Sequence, residues 1–128
     1  MNKEEIGVTQ KTKNLSTQDI ENLAKEVLAF LIENELWYDV SIYFNEKRIY
    51  PDKTNETGYL VEKDVDPDSM LDYCAHPHIL SMIFEGPLYH FLNYTGEASK
   101  IKEFRDIFYK YNVHYELGHA WTLSCYPN

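Results

Sequence analysis

The stretch Val40-Ser-Ile-Tyr-Phe-Asn-Glu-Lys-Arg-Ile-Tyr-Pro51 decides the fold. Val40, Ile42 and Phe44 alternate with Ser41, Tyr43 and Asn45, the period of a strand with one buried face. Asn45-Glu46-Lys47 supplies a turn and Arg48-Ile49-Tyr50 a return strand. Pro51, which cannot donate to a ladder, closes the pair. This is an antiparallel hairpin.

Upstream the period changes. Ile20, Leu23, Ala24, Val27, Leu28, Leu31 and Ile32 recur at spacings of three and four, with Ser16 or Thr17 placed to cap the N-terminus and Asp19 and Glu21 in the first turn. An amphipathic helix of about five turns is expected there. Downstream, Gly58 introduces a third strand at Tyr59-Leu60-Val61, and Asp66-Pro67 opens a short helix reaching about Cys74. His76-Pro77-His78 ends that helix, and the nearly uniform apolar run Ile79–Phe84 reads as a central strand. Pro87 opens a further short helix to Asn93. A longer helix follows from Glu97 to Tyr111, with Ile101, Phe104, Ile107 and Phe108 on one stripe. Val113–Leu117 and Ala120–Cys125, separated by Gly118-His119, form a closing hairpin. Clustered hairpins with helices between them predict an α+β fold: a single, mostly antiparallel sheet of about five to six strands covered by helices on one face. Residues 1–15, polar and aperiodic, are expected to form a flexible leader to one domain spanning 16–128.

Composition narrows the functional classes. The chain of 128 residues carries a net charge of −9, with 44% hydrophobic and 15% aromatic residues. That is ample material for a core. The longest apolar run, Val27–Ile32, is far short of the ~20 residues that cross a bilayer, and residues 1–14 lack the apolar stretch of a signal peptide, so the reading is cytoplasmic, with no membrane association. Acidity is concentrated: residues 52–85 hold eight acids against two bases, whereas residues 86–128 balance at four each. Excess negative charge repels phosphates, which disfavours direct nucleic-acid binding, and attracts basic partners.

Catalytic signatures are sparse. The sequence has no Gly-x-Ser-x-Gly elbow, no phosphate-cradling glycine loop, no His-Glu-x-x-His and no Cys-x-x-Cys. His76 and His78 with His119 and Glu116 or Glu85 offer zinc-type donors, but at the spacing of no established site, so neither metal nor cofactor is expected. The best enzyme or ligand-pocket alternative gathers His78, Glu85, His119 and Cys125. The sharpest binding candidate is the acidic series Glu62, Asp64, Asp66, Asp68 and Asp72. Were Glu62–Asp66 extended, alternate carboxylates would stand ~6.6–6.8 Å apart on one face, close to the repeat of a nucleic-acid backbone. Eleven tyrosines suit positions with one wet edge, and Tyr43, Tyr50, Tyr59, Tyr109 and Tyr111 fall on expected polar faces or element ends.

Three stretches carry a resemblance: Leu36-Trp-Tyr-Asp-Val-Ser-Ile-Tyr-Phe-Asn45, His78-Ile-Leu-Ser-Met-Ile-Phe-Glu-Gly-Pro-Leu-Tyr-His-Phe-Leu-Asn93 and Tyr115-Glu-Leu-Gly-His-Ala-Trp-Thr-Leu-Ser-Cys-Tyr-Pro127. With these, Thr17 to Pro127 resembles small accessory proteins of Gram-positive bacteria, often carried on plasmids and conjugative elements, a group without an assigned activity. The resemblance implies a mobile-element accessory. By analogy with anti-CRISPR and antirestriction proteins, it suggests inhibition of a basic nucleic-acid-binding host protein. The expected function is a non-enzymatic interaction protein that presents an acidic, tyrosine-rich surface to a basic partner.

Overall fold

A computed structural model describes residues 15–66 and 79–128. The leader at residues 1–14 and the expected helix from Pro67 to Cys74 lie outside the described residues. Helix α1 (Thr17–Glu33) is followed by strands β1 (Val40–Phe44), β2 (Lys47–Pro51), β3 (Tyr59–Lys63) and β4 (Ser81–Phe84). Helix α2 (Pro87–His90) then runs into a π-helical turn (Phe91–Thr95), helix α3 (Ala98–Tyr109), and strands β5 (Val113–Leu117) and β6 (Thr122–Pro127).

The six strands form one antiparallel sheet in the order β3-β2-β1-β4-β6-β5. The buried face follows the alternation read in the sequence. Ile42 faces Ile49 on one side and Met82 on the other, and Met82 faces Leu123, so one row of apolar side chains crosses the sheet. All four are buried. Helices α1 and α3 lie against this face and against each other, closing a core in which Phe104 and Phe108 are fully buried. Phe30 of α1 packs its ring on Phe91 and Phe104. Each large side chain so removed from water contributes about 1.5–3 kcal/mol. The opposite face presents Ser41, Ser81, Thr122 and Ser124 at the sheet centre, flanked by half-buried Tyr43, Tyr50 and Tyr126.

Local chemistry explains the joints. Ser16 Oγ accepts from Asp19 N–H at 3.0 Å, capping α1 as its sequence requires. The first hairpin turns on two residues, Asn45 and Glu46, at φ 49° and 59°, so Lys47 already belongs to β2. Two consecutive positive φ values make this a type I′ turn, whose twist matches the flanking strands. Asn45 also donates from its side chain to the Thr17 carbonyl, tying the turn to the start of α1.

Several details differ from the periodicity reading. Strand β4 starts at Ser81, although Ile79 and Leu80 ahead of it are buried. The β5–β6 connection takes residues 118–121, because Thr122 Oγ1 accepts from His119 N–H and holds a wider turn. Ile32, placed on the apolar stripe of α1, is 45% exposed at the end of the helix.

The connections divide between the two ends of the sheet. At one end, β1 begins, β2 ends, β3 begins, β4 ends, β5 ends and β6 begins, so the segments 34–39, 52–58, 85–97 and 118–121 gather there. This is the loop end. At the other end lie the Asn45–Glu46 turn, Asp64–Asp66 and the Lys110–Asn112 turn.

Candidate functional site

The acidic series does not form an evenly spaced row. Glu62 sits in β3 opposite Arg48, and the two form an ion pair at 3.2 Å on the sheet face away from the helices. Strand β3 stops at Lys63, and Asp64 adopts a left-handed φ of 58°, which aspartate tolerates better than most residues. The extended geometry behind a phosphate-like spacing from Glu62 to Asp66 therefore breaks at Asp64. Asp64 and Asp66 are exposed, and Asp68 and Asp72 lie outside the described residues.

The structure does not bring the described members of the alternative pocket, Glu85, His119 and Cys125, to one place. Cys125 shares its sheet face with Leu123, and its thiol is fully buried in the core, where burial pushes its pKa up and leaves it protonated. His119 and Glu85 are exposed at the loop end, and His119 stacks flat on Trp121 with centroids 5.2 Å apart. His78 lies outside the described residues. No group of three or more metal-ligating side chains forms among the described residues.

The five tyrosines named from the sequence do not share a surface. Tyr59 packs against the core and Tyr111 donates to Glu26, which also pairs with Lys110, so α1 is clamped to the end of α3. Those two partners hold the Glu26 carboxyl below its usual pKa. Tyr43 and Tyr50 lie on the sheet face away from the helices, Tyr50 beneath the Arg48 guanidinium at 4.2 Å. Tyr109 is exposed on α3.

What the structure does assemble is the loop end. Trp37 Nε1–H donates to the Gly58 carbonyl at 3.0 Å, joining the α1–β1 and β2–β3 connections. Glu85 N–H donates to the Asp39 carbonyl at 3.1 Å, joining the first connection to the segment after β4. Asn93 Nδ2 donates to the Ala120 carbonyl at 2.9 Å, joining that segment to the β5–β6 turn. Four loops become one tied surface.

Each loop is also fixed internally. Asp52 Oδ1 accepts from Thr54 N–H and Oγ1–H, and Asn55 Oδ1 does the same for Thr57, two successive side-chain turns that order residues 52–58. The hydrogen bonds from Thr54 keep the Asp52 carboxyl below its ordinary pKa. Gly86 lies so close to the Tyr38 carbonyl that an added Cβ would stand 2.7 Å from it. After α2 the chain widens into a π-helical turn, a departure from α geometry that is frequent at functional sites. It carries Tyr94, whose ring packs on Tyr89 and His90 and is 72% exposed.

Exposure and charge coincide there. Among the described residues, Ile32, Tyr38, Tyr94 and Leu117 at this end account for four of the six exposed large hydrophobic side chains. The acids Glu33, Glu35, Asp39, Asp52, Glu56, Glu85 and Glu97 border the same loops, whose one Lys or Arg is Lys53. A cavity of about 390 Å³ opens between the α1–β1 and β2–β3 loops.

No family model, curated protein or solved structure gives a match to the chain.

Trp37, Tyr38 and Tyr94 were not singled out by periodicity, because none belongs to an amphipathic pattern. For Tyr38 and Tyr94 the readable signal is of another kind, large aromatics in polar connections that end exposed, whereas Trp37 of the same connection as Tyr38 is buried in the core.

Proposed function

We propose that this chain is a non-enzymatic interaction protein that presents an acidic, tyrosine-bearing surface to a basic partner, and that the surface is the loop end of the sheet. One observation carries the reading: exposed aromatic side chains and most of the excess negative charge meet on four loops held together by hydrogen bonds. Aromatic groups with one wet edge supply contact area at low entropic cost and dominate the energetics of protein interfaces. Carboxylates around them steer a basic partner and set its orientation. Loops fixed before binding lose less entropy on association.

The buried, protonated Cys125 weighs against the enzyme alternative. A partner whose own ligand is nucleic acid fits the charge, because its groove is lined by Lys and Arg. That partner class also agrees with the resemblance to accessory proteins of mobile elements. The negative field of the loop end then supplies the complementarity, without a phosphate-spaced row.

The test is affinity capture from cell extract at low and high salt, run in parallel with Tyr38→Ala/Tyr94→Ala and Glu62→Gln/Asp64→Asn variants. The expected result is a basic protein recovered at low salt and released at high salt, lost with the aromatic pair replaced and retained with the β3 acids replaced. Recovery of no partner at either salt, or loss only with the β3 acids replaced, would overturn the proposal.

A further inference from the structure

The cavity at the loop end has a definite chemistry. Ile32, Trp37, Tyr38 and Pro51 give it apolar and aromatic walls, while Glu35, Asp52 and Lys53 stand at its rim. Its volume, about 390 Å³, falls in the range of sites that enclose a small ligand or a long side chain. Ile32 and Tyr38 remain 45% and 50% exposed, so the walls are apolar surface that the fold has left uncovered.

Its polar groups are unevenly committed. Trp37 is buried in the core with its indole N–H given to the Gly58 carbonyl, so it backs the cavity, and Tyr38 is the ring left exposed to a ligand. Asp52 accepts both Thr54 bonds on Oδ1, which leaves Oδ2 open. Glu35 forms no ion pair among the described residues.

We infer that this cavity is the anchor site for an arginine side chain of the partner, its stem along Ile32 and Pro51 and its guanidinium over the exposed Tyr38 ring, facing Glu35 and Asp52. The inference rests on the interaction reading above and names the residue type that reading requires. An anionic ligand meets two carboxylates against one lysine. A purely apolar ligand would cover Glu35 and Asp52 without pairing them, which costs free energy. Between the two basic side chains, arginine fits better. Its guanidinium is planar and weakly hydrated, stacks on aromatic faces and offers a fork of donors to more than one carboxylate, whereas a lysine ammonium is a strongly hydrated point charge. The cavity is also held open before any ligand arrives, because the Gly58 carbonyl accepts from both Trp37 and Asp52 N–H and fixes the two loops at their separation.

The experiment uses the full chain and three blocked peptides that differ at one position: arginine, its neutral isostere citrulline, and lysine. Binding is followed by the NMR signals of the Trp37 indole N–H and the Gly58 amide. The arginine peptide moves both signals. The citrulline peptide binds at least about tenfold more weakly, the factor expected when hydrogen bonds to a charged group are lost, and lysine falls between. Glu35→Gln and Asp52→Asn each weaken arginine binding several-fold, and Lys53→Gln strengthens it. That last sign separates a cation site from an anion site. Equal binding of citrulline, equal or tighter binding of lysine, weaker binding in Lys53→Gln, or shifts confined to residues away from the cavity would overturn the inference. If none of these peptides moves the Trp37 signal while Tyr38→Ala/Tyr94→Ala still abolishes partner capture, the arginine site falls and the interaction surface stands. If arginine binds and no partner is captured, the cavity stands and the interaction reading falls.

Discussion

The two ends of the sheet are built on different principles. At one end the described connections between neighbouring elements are economical: Asn45 and Glu46 turn the first hairpin, and Lys110–Asn112 return the chain from α3 to β5. Polar groups there tie helices to the sheet and to each other, as with Asn45 to Thr17 and Lys110 and Tyr111 to Glu26, and pair His114 with Glu116 and Asn128. At the loop end the connections are longer and bind to one another, Trp37 to Gly58 and Asn93 to Ala120. They also expose aromatic rings that a core would have taken in. Stability accounts for the first end. The second orders groups that stay in water, an arrangement that fits the proposed interaction surface.

The largest effects should fall on binding. Replacing Tyr38 and Tyr94 together by Ala should cost about 2 kcal/mol or more of partner affinity, as for aromatic residues at the centre of an interface. The same assay on Glu62→Gln/Asp64→Asn should change little. Equal losses at both ends would erase the distinction.

Next comes stability. Gly86→Ala forces a methyl against the Tyr38 carbonyl and should destabilise the fold by about 1–3 kcal/mol in urea unfolding. Asn112→Gly, at φ 61° on the other end, should change it by less than about 0.5 kcal/mol, since glycine adopts that conformation freely. Trp37→Phe removes one hydrogen bond between loops and part of a buried ring and should cost about 1–3 kcal/mol.

The smallest effects are in pH, and they have opposite signs at the two ends. Asp52, with its pKa lowered by Thr54, contributes stability that is present above its unfolded pKa and lost as pH falls through the folded value. His114, raised chiefly by Glu116, contributes stability that is full below its unfolded pKa near 6.5 and lost as pH rises through the folded value. NMR titrations of the two side chains, with Thr54→Val and Glu116→Gln as comparators, should show each shift relax toward the ordinary pKa.

Much of the fold was legible in the chain. The alternation at Val40–Phe44 gives the buried face, but the turn read at Asn45-Glu46-Lys47 is one residue too long and would set Ile49 opposite Tyr43 in place of Ile42. Ser16 with Asp19 marks the start of α1, and Pro87 marks the start of α2. Less of the site was legible. The acids at Glu62–Asp66 looked like a row only if the strand continued, and one left-handed residue, Asp64, ended it. The burial of Cys125 was readable by parity with Leu123, and that parity removes it as a nucleophile. The loop end was hidden for a different reason. Its ties join segments far apart in sequence, so no local pattern records that Trp37 meets Gly58 or that Asn93 meets Ala120.

The central claim is tested most directly by site-specific photocrosslinking. A photoreactive phenylalanine analogue is placed in turn at Tyr38, at Tyr94 and at Glu62, and each protein is irradiated with its captured partner. Crosslinks from positions 38 and 94 with little from position 62 are the predicted result; crosslinks mainly from position 62 would contradict it.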